Sequence, residues 1–306
     1  MSSLAKAVPR TDVAPRRFIS LQRRQSLVGI GFVLPAVVFF AVFNFYAIGY
    51  ALYLSFTSWD LLTPPRWVGL ANYRALLSEP NFLSSLAITL RYTLESAVPL
   101  ILLSLGLALL LNQRLRLSGL YQVIYFVPVV IPAVVSAIIW GLLFRPSGVV
   151  NNTLGVIGVD PLPWLASAQY ALHGIVIVSV WGGFGYSTLI LLAGLQSIPP
   201  EFGEAAAIDG ASRWRVVRDI TLPLLAPRLL FVTATSVAAL LTSFVVPFVM
   251  TNGGPGTATR VLPMLIYQTG FQFLHAGQAS AMAFILLLIT LIFTIFQFRL
   301  FGREVL

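Results

Sequence analysis

Six stretches of the chain are strongly apolar and long enough to cross a bilayer as helix, which takes about 20 residues. They lie near 28–55, 84–111, 121–143, 171–196, 229–250 and 280–299. Between the fourth and fifth comes the longest polar interruption, Glu201 to Pro227, and its pattern is helical. Pro199 and Pro200 precede it, and proline suits a first helical turn. Glu201 and Glu204 then fall where the positive end of the helix dipole favours carboxylates. Ala205, Ala206 and Ala207 are strong helix formers. Gly210 can end this short helix by adopting a positive φ, and Ser212 can cap a second one. In the second, Trp214, Val217 and Thr221 share a face, and Arg215 and Asp219 are paired at i,i+4. Pro223 and Pro227 close the unit. The pattern predicts two short helices with a sharp turn, standing out of a membrane.

Composition agrees with a membrane protein. Apolar residues make up 58%, charged residues 9%, and the mean hydropathy is +0.90. A soluble domain carries about 25% charged residues. Trp59, Trp67, Tyr121, Tyr125, Trp140, Trp164 and Tyr170 sit near proposed span ends, as interfacial aromatics should. With no cysteine, disulfides and thiolate metal sites are excluded. His173 and His275 form no metal-ligand spacing.

The net charge of +9 is unevenly placed. Lys6, Arg10, Arg16, Arg17, Arg23 and Arg24 lie in the first 24 residues, where Pro9 and Pro15 and the lack of periodicity predict a flexible tail. The apolar segment after it is too long for a signal peptide, and no small-residue cleavage site ends it. With the N-terminus inside, fourteen of the nineteen basic residues fall on the inner side, and Arg66, Arg74, Arg91, Arg145 and Arg260 fall outside or at outer helix ends. The positive-inside rule then puts both termini and the 201–227 stretch in the cytoplasm. The tail reads as a topology signal near anionic lipid, with no nucleic acid as partner. The expected division is a basic tail over 1–26, a transmembrane domain over 27–301 with a loop at 198–227, and a short tail at 302–306.

Glu204-Ala205-Ala206, Asp209-Gly210-Ala211 and Leu222-Pro223 with Pro227 resemble the "EAA" loop of permease subunits of binding-protein-dependent ABC importers. The spacing matches throughout. Val217 departs, standing where an aromatic is usual, which puts the packing of the second short helix in doubt. The alternative is an ordinary cytoplasmic loop with good helix caps. Further pieces appear in order. Leu34-Pro35-Ala36 opens the first span, and Ser55-Phe56-Thr57-Ser58-Trp59-Asp60 closes it. Val68-Gly69-Leu70-Ala71-Asn72-Tyr73, Gly148-Val149-Val150-Asn151, Pro163-Trp164-Leu165-Ala166 and Gly253-Gly254-Pro255-Gly256 come after. Together they look like the carbohydrate-uptake branch, the maltose and glycerol-3-phosphate permease type, from about Gly31 to Phe301.

The resemblance implies an all-α fold of six transmembrane helices, of the type I ABC importer permease kind. It implies that a cytoplasmic helix bearing Glu201, Glu204, Ala205, Ala206, Asp209, Gly210, Ala211 and Arg213 docks on a nucleotide-binding subunit. It also implies a second, similar permease subunit, two copies of a cytoplasmic ABC ATPase and an external solute-binding protein. The setting is the cytoplasmic (inner) membrane of a bacterium or archaeon.

Other chemistry is scarce. Lys6 is the only lysine, so no P-loop can form, and ATP with its Mg belongs to the partner ATPase. No cofactor is expected on this chain. HExxH and GxSxG are absent, which argues against an enzyme. An ion-coupled secondary transporter is the main rival, and it would show intramembrane acidic relays or internal repeats. Arg91 and Glu95 are the only ionisable residues well placed inside a span. They read either as a functional pair or as a self-neutralising i,i+4 pair. Asn44, Asn112 and Gln196 are more often helix–helix glue than pathway. Pro128, Pro132 and Pro247 free backbone carbonyls inside spans. Pro247 with Thr251 and Asn252 reads equally as pathway lining or as a packing kink. Tyr186, with Trp181 and Thr188, is a further pathway candidate, since a neutral sugar needs aromatic faces and hydroxyl or amide partners. The sequence does not name the solute.

Overall fold

The computed structural model describes residues 16–113 and 118–301. Residues 1–15, 114–117 (with Arg114 and Arg116) and 302–306 lie outside the described residues, and the expected tails at 1–15 and 302–306 fall there. Residues up to Tyr53 form one compact unit, and those from Leu54 form a second.

The first unit is helical. Helix α1 (Arg16–Phe40) passes through a π-helical turn, Ala41–Phe45, into α2 (Tyr46–Ser55). The helix starts at Arg16, so 16–24, expected as flexible tail, is helical. Beyond Pro15 nothing in Arg16–Arg24 breaks a helix. The apolar stretch Val28–Ser55 fits the first expected span. From Val28 to Tyr50 every residue is exposed.

The second unit opens with a two-residue antiparallel pair, β1 (Thr57–Ser58) and β2 (Arg66–Trp67). Asp60 turns the chain between them. It accepts from the Thr63 N–H at 2.7 Å, the Thr63 hydroxyl at 2.8 Å and the Leu62 N–H at 3.1 Å. These bonds hold its carboxyl below the usual carboxylate range. Helix α3 (Ala71–Leu77) comes next. Its buried Asn72 donates to the carbonyls of Ser55 and Thr57, at 2.9 and 2.8 Å, and staples the hairpin down. Helix α4 (Pro80–Leu111) is the longest unbroken α-helix, with Pro80 in its first turn.

The third expected span, 121–143, is two helices, α5 (Ser118–Val130) and α6 (Ala133–Leu143), meeting at 98°. Ile131 precedes a proline, which disfavours helical backbone there, and Pro132 itself sits at φ −55°, ψ 138°. Helix α7 (Val149–Val156) comes after the bend. Asn151, 2% exposed, fastens this region: its amide donates to the Arg145 and Leu162 carbonyls, and its oxygen accepts from Leu162 N–H and Trp164 Nε1. Helix α8 (Ala171–Gln196) is half buried along its length and matches the fourth span.

Next come α9 (Glu201–Ile208), α10 (Arg213–Val216) and α11 (Leu222–Leu241), with a π-helical turn at Val217–Thr221 joining the last two. The fifth span differs from expectation. The helical run is Arg213–Leu241 instead of 229–250. Pro223 and Pro227 sit within α11 and do not end it. Thr242–Phe244 break the chain before α12 (Val245–Thr251). Pro247 accounts for the break, because its ring would clash with the Ser243 carbonyl four residues back in a continued helix. Helix α13 (Leu262–Tyr267), a π-helical turn at Gln268–Gln272 and α14 (Ala276–Phe301) complete the chain.

Helix α4 lies along α8, and α11 packs on α4, α8 and α14. The main core gathers Tyr92, Leu100, Ile175, Val180, Leu241 and Met282, all buried. A second cluster, with Ala108, Leu191, Leu195 and Leu225, lies nearer α9. Gly185 lets α5 approach α8: a Cβ there would strike the Tyr125 carbonyl oxygen. These contacts fix two places where function can reside, the α9–α10 turn and a cavity between helices.

Candidate functional site

The α9–α10 turn is built by its caps. Glu201 and Glu204 stand in the first turn of α9, at the positive end of its dipole. Helix α9 closes as a Schellman motif, with Ala211 N–H donating to Ala206 O at 2.9 Å and Gly210 N–H to Ala207 O at 3.1 Å. Gly210 lies at φ +78°. A Cβ there would meet nothing within 4 Å, so the demand for glycine comes from the backbone angle and not from crowding. Ser212 then caps α10, its Oγ accepting from Arg215 N–H at 3.4 Å.

The second helix is neither short nor separate. It runs through the π-helical turn straight into α11. Val217, where an aromatic is usual, opens that turn. Thr221 Oγ1 donates to Val216 O at 3.3 Å, a five-residue reach that marks the wider register. The wider turn also changes the expected ion pair. Asp219 is held by Arg218, at 2.6 and 3.1 Å, in place of Arg215.

Glu201, Glu204, Ala205, Asp209, Gly210 and Arg213 are exposed, while Ala206 and Ala211 are half-buried. Three apolar side chains stand among them: Phe202, Trp214 and Ile208, the last 86% exposed. Phe202 and Ile208 were not among the residues the sequence pattern singled out. Their signal is a large apolar side chain on a short helix inside the polar interruption between two spans. Charged and exposed apolar side chains thus share one surface of the turn.

The second place is a cavity of about 670 Å³ between α4, α5, α6, α8, α11 and α12. That size suits a small-molecule site. Among the described residues, eight hydroxyl side chains line it, including Tyr92, Ser136, Ser179, Tyr186, Thr235, Ser236 and Ser243, and no charged side chain does. Tyr92 is fully buried. Its hydroxyl bonds Ser179 Oγ at 2.8 Å and donates to Ser243 Oγ at 3.2 Å, tying α4 and α8 to the break after α11. The bend at Ile131–Pro132 forms part of the wall.

Of the four pathway candidates, the structure places only Tyr186 in this wall. Pro247, Thr251 and Asn252 belong to α12 and its end and are not part of the lining, to which α12 contributes Val246. Pro247 is buried, and Thr251 is bonded to the Pro247 carbonyl at 2.9 Å and to Thr259 Oγ1 at 2.7 Å. Asn252, at φ +46°, ends the helix in the left-handed region. Trp181 packs edge-on against Trp140, and Thr188 is buried, donating to Phe184 O. The serines of α8 and α11 escaped the sequence reading, because a lone serine in an apolar helix carries no pattern.

One helical run joins the turn to the cavity. The helical run that begins at Arg213 carries Thr235, Ser236, Ala239 and Leu240 into the cavity wall. From Arg213 to Thr235 is roughly 33 Å at 1.5 Å per residue.

Residues 100–304 match the family described as "Binding-protein-dependent transport system inner membrane component". The chain is 34% identical over 285 residues to the trehalose/maltose transport system permease protein MalF of Thermococcus litoralis, covering 92% of this chain and 96% of that one. It is also 34% identical over 282 residues to the sn-glycerol-3-phosphate transport system permease protein UgpA of Agrobacterium fabrum, covering 89% and 94%. Among solved structures, a chain of the bacterial alginate ABC transporter in complex with an alginate pentasaccharide-bound periplasmic protein superposes with a TM-score of 0.80. The match has 24% identity and covers 94% of this chain and 98% of that one. At that identity the likeness speaks for the fold.

Proposed function

The chain belongs to the family of binding-protein-dependent transport system inner membrane components, and from that premise we propose that it forms half of an ATP-driven import pathway for a sugar or related polyol. The observation that carries the reading is the single helical run from the docking turn to the hydroxyl-lined cavity. A push on α9 and α10 from an ATPase is delivered to the cavity wall by α11. An uncharged wall of hydroxyls suits a neutral polyhydroxyl solute, which hydrogen-bonds without asking for a counter-charge. The named relatives serve trehalose and maltose in one case and sn-glycerol-3-phosphate in the other, and the absence of a cation in this wall favours the neutral kind.

One docking turn serves one ATPase. The assembly therefore takes a second, homologous permease subunit, two copies of the ABC ATPase and an external solute-binding protein. ATP and Mg belong to the ATPase, because Lys6 is the only lysine in this chain and cannot complete a phosphate-binding loop. The exposed apolar stretch Val28–Tyr50 faces lipid and the second permease subunit. Both termini lie in the cytoplasm, on the side of the docking turn, and the membrane is the cytoplasmic membrane of a bacterium or archaeon.

The deciding experiment is uptake by the full complex in proteoliposomes with the ATPase wild type or disabled in its catalytic site. Uptake should vanish with the disabled ATPase. Uptake that persists, driven by an ion gradient, would replace this reading with ion coupling. Orientation has its own check. Ser212→Cys, in a chain that has no cysteine, should resist an impermeant thiol reagent added outside intact cells and react in inverted vesicles. Labelling from outside would reverse the topology.

A further inference from the structure

We propose that Glu95 and His173 form a proton-binding site that fastens α4 to α8 at the end of the molecule opposite the docking turn. His173 lies in the first turn of α8, two residues from Ala171, while the docking turn comes after the other end of the same helix. Its Nδ1 stands 2.9 Å from the Gln169 carbonyl oxygen. A carbonyl can only accept, so Nδ1 carries the hydrogen, and Nε2 of the neutral ring is a bare lone pair. That lone pair faces Glu95 Oε2 across 3.7 Å.

Oε2 is buried and has no hydrogen-bond partner, whereas Oε1 is taken by Arg91 Nε at 2.7 Å. With the ring neutral, two lone pairs face each other and a carboxylate oxygen is left unsatisfied, which a buried polar atom tolerates poorly. One proton between Nε2 and Oε2 satisfies both atoms at once and makes a charge-assisted bond. A metal ion is a worse occupant: no third ligand stands with this pair among the described residues, and the Arg91 guanidinium is bound to the same carboxylate.

The helices packed on α4 are α3, α8, α11 and α13. Their ionisable side chains are Tyr73 and Arg74 on α3, His173 and Tyr186 on α8, Arg228 on α11 and Tyr267 on α13, and of the further helices packed on α8, which are α5, α6 and α12, only α5 carries any, Tyr121 and Tyr125. Of these only His173 pairs with Glu95, joined by Arg91 from α4 itself. The proton is therefore the one charge that decides the contact. A proton on the ring closes the seam, and its loss leaves the two lone pairs opposed and loosens it.

Local hydrogen exchange on the assembled transporter in lipid nanodiscs reads the seam directly. After correction for intrinsic chemistry, amides at the start of α8 should exchange roughly two- to fivefold faster at pH 8 than at pH 5.5, the range of a partly exposed ion pair. His173→Gln should show the faster value at both pH values. His173→Arg, which keeps a positive charge, should show the slower value at both. Arg is the arm that decides if the Gln variant fails to assemble. The proposal is overturned if wild type shows no pH dependence at these amides. It is equally overturned if either variant keeps the wild-type pH profile.

Discussion

Gly210→Val and Glu204→Ala should each depress uptake by at least about tenfold in the assembled complex, with binding-protein-stimulated ATP turnover falling alongside. Gly210 holds φ at +78° with open space around it. Valine loses nothing by contact there and everything by backbone angle. Left-handed geometry costs an L-residue roughly 1–2 kcal/mol, and more when the side chain is β-branched. The Schellman closure then fails, and α9 no longer turns sharply into the capped start of α10. Glu204 acts differently. It is exposed in the first turn of α9, ready to meet a cation of a docked ATPase. Losing a charged hydrogen bond at such an interface costs about 2–5 kcal/mol. Gly210→Ala, with one methyl group, should fall between wild type and valine. Solute affinity of the external binding protein should not change in any variant. A folding defect would instead lower the amount of complex in the membrane. Normal accumulation with full ATP-coupled uptake in both Gly210→Val and Glu204→Ala would remove the coupling role.

The caps of that turn were legible in the sequence because each rests on local chemistry. Proline before α9, carboxylates in its first turn, glycine at its end and serine before α10 act over four residues or fewer, and all four stand in the structure as read. The path of the chain beyond the turn was not legible. Pro223 and Pro227 read as a stop, yet proline inside a membrane helix is tolerated where local π adjustments and neighbouring helices satisfy the freed backbone groups, and the π-helical turn at Val217–Thr221 carries the chain across without a break. The same oversight moved the fifth span, because hydropathy counted apolar residues on both sides of Thr242–Phe244 and saw no gap. The pair Asp219–Arg218 arises from the same turn. The cavity was the least legible part. Ser136, Ser179 and Ser236 sit on three helices distant in sequence, and only packing brings their hydroxyls to one wall. Asn72 and Asn151 were visible as parts of weak motifs. Their work, four hydrogen bonds in the case of Asn151, appears only when the loops are folded around them.

Filling the cavity should stop transport while leaving the ATPase engaged, and Gly182→Trp is the variant that separates the two. Gly182 lies in the cavity wall on α8, and a Cβ there meets nothing within 4 Å. An indole can therefore enter without pushing backbone, unlike at Gly185, where even a methyl group would strike the Tyr125 carbonyl. Inside about 670 Å³, a tryptophan, which presents some 150–250 Å² of surface, takes a large share of the room a solute needs. Uptake should fall at least about tenfold. ATP turnover of the complex should stay within about twofold of wild type, because the docking turn and the helical run from Arg213 are untouched. Gly182→Ala, adding one methyl group, should retain most uptake, since overpacking penalties arise where space is already filled. The contrast with Glu204→Ala is the sharper part of the result: one change silences transport with the motor running, and the other slows both together. If Gly182→Trp accumulates normally and transports at the wild-type rate, the solute does not pass this cavity, and the hydroxyl wall is a packing feature of α4, α8 and α11 alone.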